Sequence, residues 1–281
     1  MNRKRCLIVC GPTAVGKTDI SIDLALKYNT SIISADSRQC YKELNIGVAK
    51  PSTHQLESVP HYFINSHSIR QEINVKLFET YALNAVAEIF QENDVAVMVG
   101  GTGMYIKVFA EGIDDVPETN KEIRERIINS YEEHGIEWLQ QELKLHDPEF
   151  YSEGEMQNPQ RMLRALEVKN STGKSILDFQ SNQKNQRDFE VEYMLLELPR
   201  ETLYQRINHR VDIMMEEGLL EEVKSLFPFR HLNALQTVGY RELFDYIEGK
   251  HSLETAVEEI KKNTRRYAKR QMTWFKKYAG N

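Results

Sequence analysis

The segment Gly11-Pro12-Thr13-Ala14-Val15-Gly16-Lys17-Thr18 constrains the fold of this chain more than any other feature. It meets every position of the Gly-x-x-x-x-Gly-Lys-Thr phosphate-binding motif. The apolar run 6–10 precedes it and predicts a buried strand, whereas Ile20, Leu24 and Ala25 follow it at helical spacing. The sequence therefore predicts a strand, a phosphate-binding loop and a helix, which is the order that the motif requires.

The residue types in this loop match the chemistry of a phosphate site. Gly11 and Gly16 permit backbone angles and close approaches that let N–H groups converge on phosphate oxygens. Lys17 adds a positive charge, the start of the helix adds a partial one, and the Thr18 hydroxyl is a ligand suited to Mg²⁺. The loop predicts a bound di- or triphosphate, but it does not identify the group attached to the phosphates.

Length and composition limit the class of protein. The chain has 281 residues, of which 41% are hydrophobic, enough for one large core with a smaller insertion. We see no apolar run long enough to cross a bilayer and no cleavable signal before the first strand, so we expect a cytoplasmic protein without a membrane partner. Cys6, Cys10 and Cys40 have neither the spacing of a metal site nor that of a disulfide framework.

Positive charge is concentrated near the C-terminus. The net charge is −6, yet residues 261–281 contain eight Lys or Arg and no acidic residue, which leaves −14 on the rest of the chain. Such a concentration favours a local site for a polyanion such as nucleic acid. The alternative is a solvated helix end whose cations interact with the helix dipole. Aromatic residues interleave with these charges and fit the core side of the same helix: Tyr267, Trp274, Phe275 and Tyr278.

Two further strand ends carry polar or glycine-rich segments. The run 31–34 predicts a second parallel strand that leads to Asp36, where a carboxylate beside phosphates serves as a metal ligand or a base, or else caps a turn. The run 95–99 predicts a central strand, and it ends in 100–103, Gly-Gly-Thr-Gly. This second glycine-rich end provides a close backbone approach to a ligand, or a plain tight turn.

The pattern changes after a hinge at 113–117. Helices are predicted at 120–134, 136–145 and 159–169, followed by a polar loop at 181–188 and a return to the sheet at 191–198. We therefore predict an α/β fold, a P-loop NTPase-like doubly wound parallel sheet with a helical insertion and a helical C-terminal part. The predicted core comprises residues 1–113 and 190–281, and the insertion 114–189.

One predicted helix of the core carries two arginines. Arg206 and Arg210 lie four residues apart and share a helical face, so they form either a phosphate clamp or surface ion pairs.

Several motifs together resemble one family. With the loop at 11–18 they run in family order from residue 11 to residue 274: Asp36-Ser37-Arg38-Gln39-x-Tyr41, Asn45-Ile46-Gly47-x-Ala49-Lys50-Pro51, Gly100-Gly101-Thr102-Gly103-x-Tyr105, Arg161-x-x-Arg164-Ala165-Leu166-Glu167-Val168, Val238-Gly239-Tyr240-Arg241 and Thr264-Arg265-Arg266-Tyr267-Ala268-Lys269-Arg270-Gln271-x-Thr273-Trp274. The chain closely resembles the bacterial tRNA dimethylallyltransferases, also called isopentenyl-diphosphate:tRNA isopentenyltransferases.

The resemblance implies a function and its partners. A dimethylallyl group would move from dimethylallyl diphosphate to the exocyclic amine of the adenosine 3′ of the anticodon in the tRNA anticodon stem-loop, with release of diphosphate. The phosphates would then belong to a prenyl diphosphate and not to ATP. Mg²⁺ is the implied cofactor, with Thr18 as its protein ligand. We expect a monomer, and no zinc, because nothing here resembles the zinc-finger extension of eukaryotic relatives.

The resemblance also implies roles for single residues. Asp36 would accept the proton from the adenine amine, and Thr102 would hold Asp36 or the reacting region in place. The residues Gly11 to Thr18 would hold the diphosphate together with Arg210 as its charge grows. Contacts with tRNA are implied for Asp36, Ser37, Arg38, Gln39, Thr102, Arg124, Gln160, Arg161, Met162, Leu163, Arg164, Arg241, Arg266, Lys269 and Arg270.

Two other functions fit part of the sequence. A P-loop small-molecule kinase would use the same loop, a helical lid and lid arginines. The chain, however, shows no apolar strand that ends in a second acidic Mg²⁺ ligand, and a kinase gives the basic, aromatic C-terminal helix no role. An RNA-binding module without chemistry would leave Asp36 unused.

Overall fold

The computed structural model describes residues 3–180 and 185–279. They form two compact units. The sheet unit contains the chain up to Gly112 and from Asn185 onward, and the helical unit begins at Ile113.

The sheet unit is built on a parallel sheet. The described residues form five strands, namely β1 (Arg5–Cys10), β2 (Ile32–Ser34), β3 (His61–Tyr62), β4 (Val95–Gly100) and β5 (Glu190–Leu195). Their order across the sheet is β3-β2-β4-β1-β5, and every pairing is parallel. Residues 6–10 of β1 are buried, as expected for a central strand covered on both faces.

Helices cover this sheet and build the second unit. The described part of the chain contains α1 (Lys17–Tyr28), α2 (Thr53–Ser58), α3 (Val75–Glu92), α4 (Gly103–Glu111), α5 (Lys121–His146), α6 (Pro148–Glu153), α7 (Pro159–Thr172), α8 (Arg200–Glu216), α9 (Leu219–Leu226), α10 (Tyr240–Ile247) and α11 (Leu253–Tyr278). Short 3-10 turns lie at Ile176–Phe179, Phe227–Phe229 and Asn233–Leu235.

Local sequence explains where the longer helices begin. The Asn74 side chain accepts a hydrogen bond from the N–H of Leu77 at the start of α3, and Ser252 accepts one from Thr255 at the start of α11. Buried residues of α3 recur every three or four positions from Phe78 to Phe90, so one apolar face packs on the sheet.

The helical unit consists of α5, α6 and α7 around its own core. Gly135 interrupts α5 with a φ of 75° and a ψ of −167°, which separates the two helical segments that the sequence predicts on either side of it. Asp147 caps α6 by accepting from the N–H of Phe150. Apolar side chains of the three helices form the core, among them Ile127, Leu139, Leu143, Phe150, Met162 and Leu163.

The structure differs from the sequence prediction at one strand and at one helix. The sequence at 61–67 also predicts a strand, but only β3 forms there, with one isolated bridge between Tyr41 and His67. Helix α6 was not predicted, because six residues are too few for a visible apolar period. Of the loop predicted at 181–188, residues 181–184 lie outside the described residues.

Residues 185–189 belong to the sheet unit and not to the insertion. The N–H of Asn185 donates to the carbonyl of Glu111 at 2.8 Å. The Arg187 guanidinium donates to the carbonyls of Val108 and Phe109, at the end of α4, at 2.7 and 2.8 Å. These contacts tie the segment to the sheet unit before β5 begins.

The parallel arrangement places three segments at one edge of the sheet. The loop after β1, Asp36 after β2 and the glycines after β4 all follow the carboxyl ends of their strands. Gly100 is required there, because a Cβ at this position would lie 2.2 Å from the carbonyl oxygen of Ala35. Among the described helices, none is long and apolar enough to cross a membrane.

Candidate active site

The phosphate-binding loop joins β1 to α1 with several unusual backbone angles. Gly11 and Gly16 have φ values of 144° and 105°, and Ala14 has a φ of 65°. A Cβ on Gly11 would lie 2.6 Å from the carbonyl oxygen of Leu196, so this turn packs directly on the chain that follows β5. The loop thus has the curvature that lets main-chain groups surround an anion.

The side chain of Lys17 is held by hydrogen bonds within the phosphate-binding loop. Its Nζ donates to the carbonyl of Gly11 at 3.0 Å and to that of Pro12 at 2.7 Å. Burial lowers the pKa of Lys17 to about 8, with Arg210 also lowering it and Asp36 raising it. The Lys17 ammonium therefore interacts electrostatically with the Asp36 carboxylate and with the Arg210 guanidinium in one site.

Asp36 lies in a tight turn after β2. Its Oδ1 accepts hydrogen bonds from the N–H groups of Arg38 and Gln39 at 2.8 and 3.3 Å. The Thr102 hydroxyl oxygen accepts from the N–H of Ser37 at 3.1 Å, and the N–H of Thr102 donates to the carbonyl of Ala35 at 3.2 Å. Thr102 thus holds the main chain on both sides of Asp36, while the two bonds to Asp36 fix its carboxylate.

Two cavities meet at Asp36 within the sheet unit. The larger, of about 890 Å³, is lined by residues of the phosphate loop, Thr18, Asp19, Gly101, Arg206, Arg210 and Gln271. The smaller, of about 240 Å³, shares Thr13, Ala14, Arg210, Met214 and Tyr267 with it. Its lining has an apolar part, formed by Val48, Ile207, Val211, Leu219, Val238 and Ile260, and a polar part, formed by Ser37, Arg38, Thr237 and Thr264.

The arginines of α8 complete the cationic side of the larger cavity. Arg210 and Arg206 both line it, and the Arg206 Nη1 lies 4.0 Å from the position of a Cβ on Gly16. Burial lowers the pKa of Arg210, whereas Asp19 raises it. Lys17, Arg206 and Arg210 therefore converge on the space beside the loop, as an anion site requires.

The segment 37–39 is partly directed into the protein. The Gln39 Nε2 donates to the carbonyls of Val48 and Ala49 at 3.3 and 3.0 Å. The Arg38 Nη1 donates to the carbonyl of Asn233 at 2.9 Å. Gln39 therefore holds the wall of the cavity formed by residues 48 and 49.

Basic side chains on α10 and α11 are exposed, with Arg241 on α10 and Arg266, Lys269 and Arg270 on α11. Buried positions of α11, such as Ala268, Gln271 and Phe275, lie on its other side. The charges thus occupy an outer face of this helix. Of the aromatic residues predicted for its core side, Phe275 is buried and Trp274 packs against the core, whereas Tyr267 is 37% exposed.

Within the helical unit, the predicted tRNA-contacting residues divide into exposed and buried ones. Gln160 and Arg161 are exposed, and Arg161 pairs with Glu155. Arg124 and Arg164 lie 3.7 and 3.5 Å from the buried carboxylate of Glu167. Met162 and Leu163 are 0% and 5% exposed in the core of this unit, so their side chains pack beneath the surface and do not face a ligand.

A metal site made of protein side chains alone is not present in the described ranges. Residues 3–180 and 185–279 contain no group of three or more His, Cys, Asp or Glu side chains able to hold a metal ion. Thr18 lines the larger cavity beside Asp19 and Asp36, and these are hard oxygen donors. This donor set fits Mg²⁺ bound partly by phosphate oxygens.

Comparison with known proteins decides the family. The family model described as IPP transferase matches residues 39–278. The chain belongs to this family. The tRNA dimethylallyltransferase of Christiangramia forsetii is 49% identical over 269 residues, covering 96% of this chain and 89% of that protein. The tRNA dimethylallyltransferase 1 of Bacteroides thetaiotaomicron is 46% identical over 271 residues, covering 96% and 88%.

Solved structures of IPP transferases share the fold. The full-length tRNA isopentenylpyrophosphate transferase from Bacillus halodurans matches with a TM-score of 0.71 at 34% identity, covering 99% of this chain and 88% of that chain. A eukaryotic dimethylallyltransferase acting on tRNA matches with a TM-score of 0.81 at 29% identity, covering 97% and 70%. The predicted P-loop NTPase-like fold and the predicted family are both confirmed.

Sequence reasoning gave no role to two residues that the structure of this IPP transferase brings to the site. Gln271 contacts the phosphate loop, and Glu222 accepts hydrogen bonds from the N–H groups of residues 45–47. Both lie in predicted helices far along the chain from their partners. Two sequence signals could have identified Gln271, namely its place in the motif at 264–274 and its polar side chain at a buried helical position.

Proposed function

We propose that this IPP transferase moves a dimethylallyl group from dimethylallyl diphosphate to the exocyclic amine of the adenosine 3′ of the anticodon in tRNA. The observation that carries the proposal is that a carboxylate, Asp36, opens onto the same cavity as the phosphate loop, Lys17 and Arg210. A base and an anion site are the two parts that this reaction needs. The substrate class is that of the relatives, which are tRNA dimethylallyltransferases.

The diphosphate is held by the cationic side of the larger cavity. Residues Gly11 to Thr18 surround it, while Lys17, Arg206 and Arg210 neutralise its charge. When the bond between the allylic carbon and oxygen breaks, its electron pair leaves with the diphosphate, and these fixed charges stabilise the growing negative charge. The apolar walls of the smaller cavity suit the five-carbon group beside Asp36.

Mg²⁺ would be held by the Thr18 hydroxyl together with diphosphate oxygens, and when bound it neutralises charge on the leaving group. Thr18 is the one protein ligand that we assign to it.

Asp36 accepts the proton that the amine loses as it bonds to the allylic carbon. Its Oδ1 is fixed by two N–H donors, so the carboxylate keeps one orientation relative to the incoming adenine. Thr102 holds the same turn through Ser37. Asp36 lines the cavity that the flipped adenine would enter, which accounts for its expected tRNA contact, and Thr102 lies next to this turn through its bond to Ser37.

The tRNA is bound by separate groups in each unit. In the sheet unit these are Ser37, Arg38, Gln39, Arg241, Arg266, Lys269 and Arg270. In the helical unit they are Arg124, Gln160, Arg161 and Arg164, with Met162 and Leu163 as the packing beneath them. Phosphate contacts of this kind offset the few kcal/mol, roughly, that base flipping costs. The enzyme would act as a monomer in the cytoplasm, where its tRNA substrate is found.

A transfer assay tests the proposal. Purified protein, Mg²⁺ and radiolabelled dimethylallyl diphosphate are incubated with unmodified bacterial tRNA, and in parallel with the same tRNA carrying guanine at the target position. Label is expected only in the tRNA with adenine, and chelation of Mg²⁺ is expected to reduce it. Unlabelled tRNA, together with consumption of ATP in parallel reactions with small acceptors, would favour a P-loop kinase instead.

A further inference from the structure

Gln271 is a buried polar residue of α11 that contacts two segments of the site. Its side chain is 6% exposed. The Oε1 accepts a hydrogen bond from the N–H of Thr13 at 2.8 Å, and the Nε2 donates to the carbonyl of Gly101 at 2.9 Å. One amide therefore joins the loop after β1 to the turn after β4.

These two partners determine the residue type. A backbone N–H only donates and a carbonyl only accepts, so the amide has one orientation and both bonds are needed to satisfy it. A Glu side chain would keep the bond to Thr13 but would place an anion against the Gly101 carbonyl. An Asn side chain is one methylene shorter, and an apolar side chain leaves both buried groups without partners.

The peptide group between Pro12 and Thr13 is fixed from both ends. Its carbonyl accepts from the Lys17 Nζ at 2.7 Å, and its N–H donates to Gln271. Rotation of this peptide plane would break both bonds at once. Gln271 thus determines the orientation of the carbonyl to which the Lys17 ammonium is bound.

The turn at Gly101 is packed against the same amide. A Cβ on Gly101 would lie 2.3 Å from the Gln271 Nε2 and 3.7 Å from the Lys17 Nζ. The Gln271 amide, Gly101 and the Lys17 ammonium are therefore immediate neighbours, and all three line the larger cavity.

We propose that Gln271 is a positioning residue for the diphosphate, which fixes the Pro12–Thr13 peptide and thereby the Lys17 ammonium before the ligand enters. The inference rests on the proposed function, since it assigns the cavity beside the loop to a diphosphate. A loop that is already ordered binds its ligand without an ordering cost, so loss of Gln271 weakens diphosphate binding and leaves tRNA binding unchanged.

The experiment compares three variants with the wild-type protein. Gln271→Met keeps the volume and removes both hydrogen bonds without adding charge, and Gln271→Glu keeps one bond and adds an anion. Gln91→Glu is the control, because Gln91 is exposed near the end of α3, which leads to the opposite end of β4 from the site. We measure the Kd of inorganic diphosphate with Mg²⁺, the KM values of dimethylallyl diphosphate and tRNA, kcat and the Tm.

Gln271→Met is expected to raise the Kd of inorganic diphosphate and the KM of dimethylallyl diphosphate about fivefold or more. Gln271→Glu is expected to raise the same two constants about tenfold or more. In both variants the KM of tRNA should stay within about twofold of the wild-type value. Diphosphate constants within twofold of wild type in Gln271→Met would overturn the inference, even if Gln271→Glu raised them by charge repulsion. A lower Tm and a lower kcat at unchanged KM would also overturn it, since that pattern belongs to a purely structural residue. Failure of the wild-type protein to transfer label or to bind diphosphate would instead refute the proposed function.

Discussion

Replacement of Asp36 by Asn tests the proposed base with little disturbance of the site. The Oδ1 of Asp36 accepts from the N–H groups of Arg38 and Gln39. The carbonyl oxygen of an Asn side chain accepts the same two bonds, whereas its NH₂ group would oppose two donors, so the amide has one allowed orientation. The turn is therefore retained, and only the negative charge and the basicity are lost.

The expected loss follows from the role of a general base. Such groups contribute about 10²- to 10⁴-fold to the rate, so the single-turnover rate constant with both substrates saturating should fall by that factor. Asp36 also raises the pKa of Lys17, which burial lowers to about 8. Without Asp36 this pKa falls further, Lys17 loses charge at neutral pH, and the KM of dimethylallyl diphosphate rises as well.

Rapid-quench measurements with labelled dimethylallyl diphosphate give the rate constant, and filter binding gives the Kd of tRNA. Asp23→Asn is the matched control, because Asp23 is exposed on α1 and undergoes the same chemical change. We expect Asp36→Asn to bind tRNA within about threefold of wild type, since the retained turn implies retained contacts. A transfer rate within threefold of wild type would remove Asp36 from the role of base.

Three further perturbations have defined outcomes. Burial lowers the pKa of Lys17 to about 8, and the cationic form of Lys17 binds phosphate. The KM of dimethylallyl diphosphate should therefore rise about tenfold between pH 7 and pH 9. A KM that does not change with pH would contradict this role. Glu222 accepts three hydrogen bonds from the N–H groups of residues 45–47 and one from the Tyr240 hydroxyl. Glu222→Gln should therefore lower the free energy of unfolding by about 1–3 kcal/mol in urea titration, whereas exposed Glu221→Gln should not. Joint replacement by Ala of three exposed basic residues of α11, Arg266, Lys269 and Arg270, should reduce the slope of log K for tRNA against log salt by about 2. The KM of dimethylallyl diphosphate should not change. An unchanged slope would exclude phosphate contacts by these residues.

Local patterns were enough to predict much of the fold. The loop at 11–18 follows a buried strand and opens a helix, as its motif requires. The apolar residues of 75–92 recur at helical spacing, and α3 spans this range. Gly135 breaks α5 where the prediction changes helix. These features depend on neighbours within a few residues, which a sequence displays directly.

Contacts between distant segments could not be predicted in the same way. The hydrogen bond from Thr13 to Gln271 spans 258 positions, and that from Gly47 to Glu222 spans 175. Neither pair has a local pattern, because each depends on how α9 and α11 pack within the sheet unit. For the same reason, the buried positions of Met162 and Leu163 follow from the core of the helical unit and not from the motif around them.

The place of β1 in the sheet has a consequence for biosynthesis. Of the five described strands this one is synthesised first, yet its two neighbours are β4, about ninety residues later, and β5, beyond the whole insertion. The N–H of Thr13 donates to Gln271, so this hydrogen bond cannot form until α11 has been synthesised. Most of the chain must therefore be synthesised before the phosphate loop reaches its final form, and such long sequence separations slow folding. The nascent enzyme thus acquires its catalytic shape only after α11 has been synthesised.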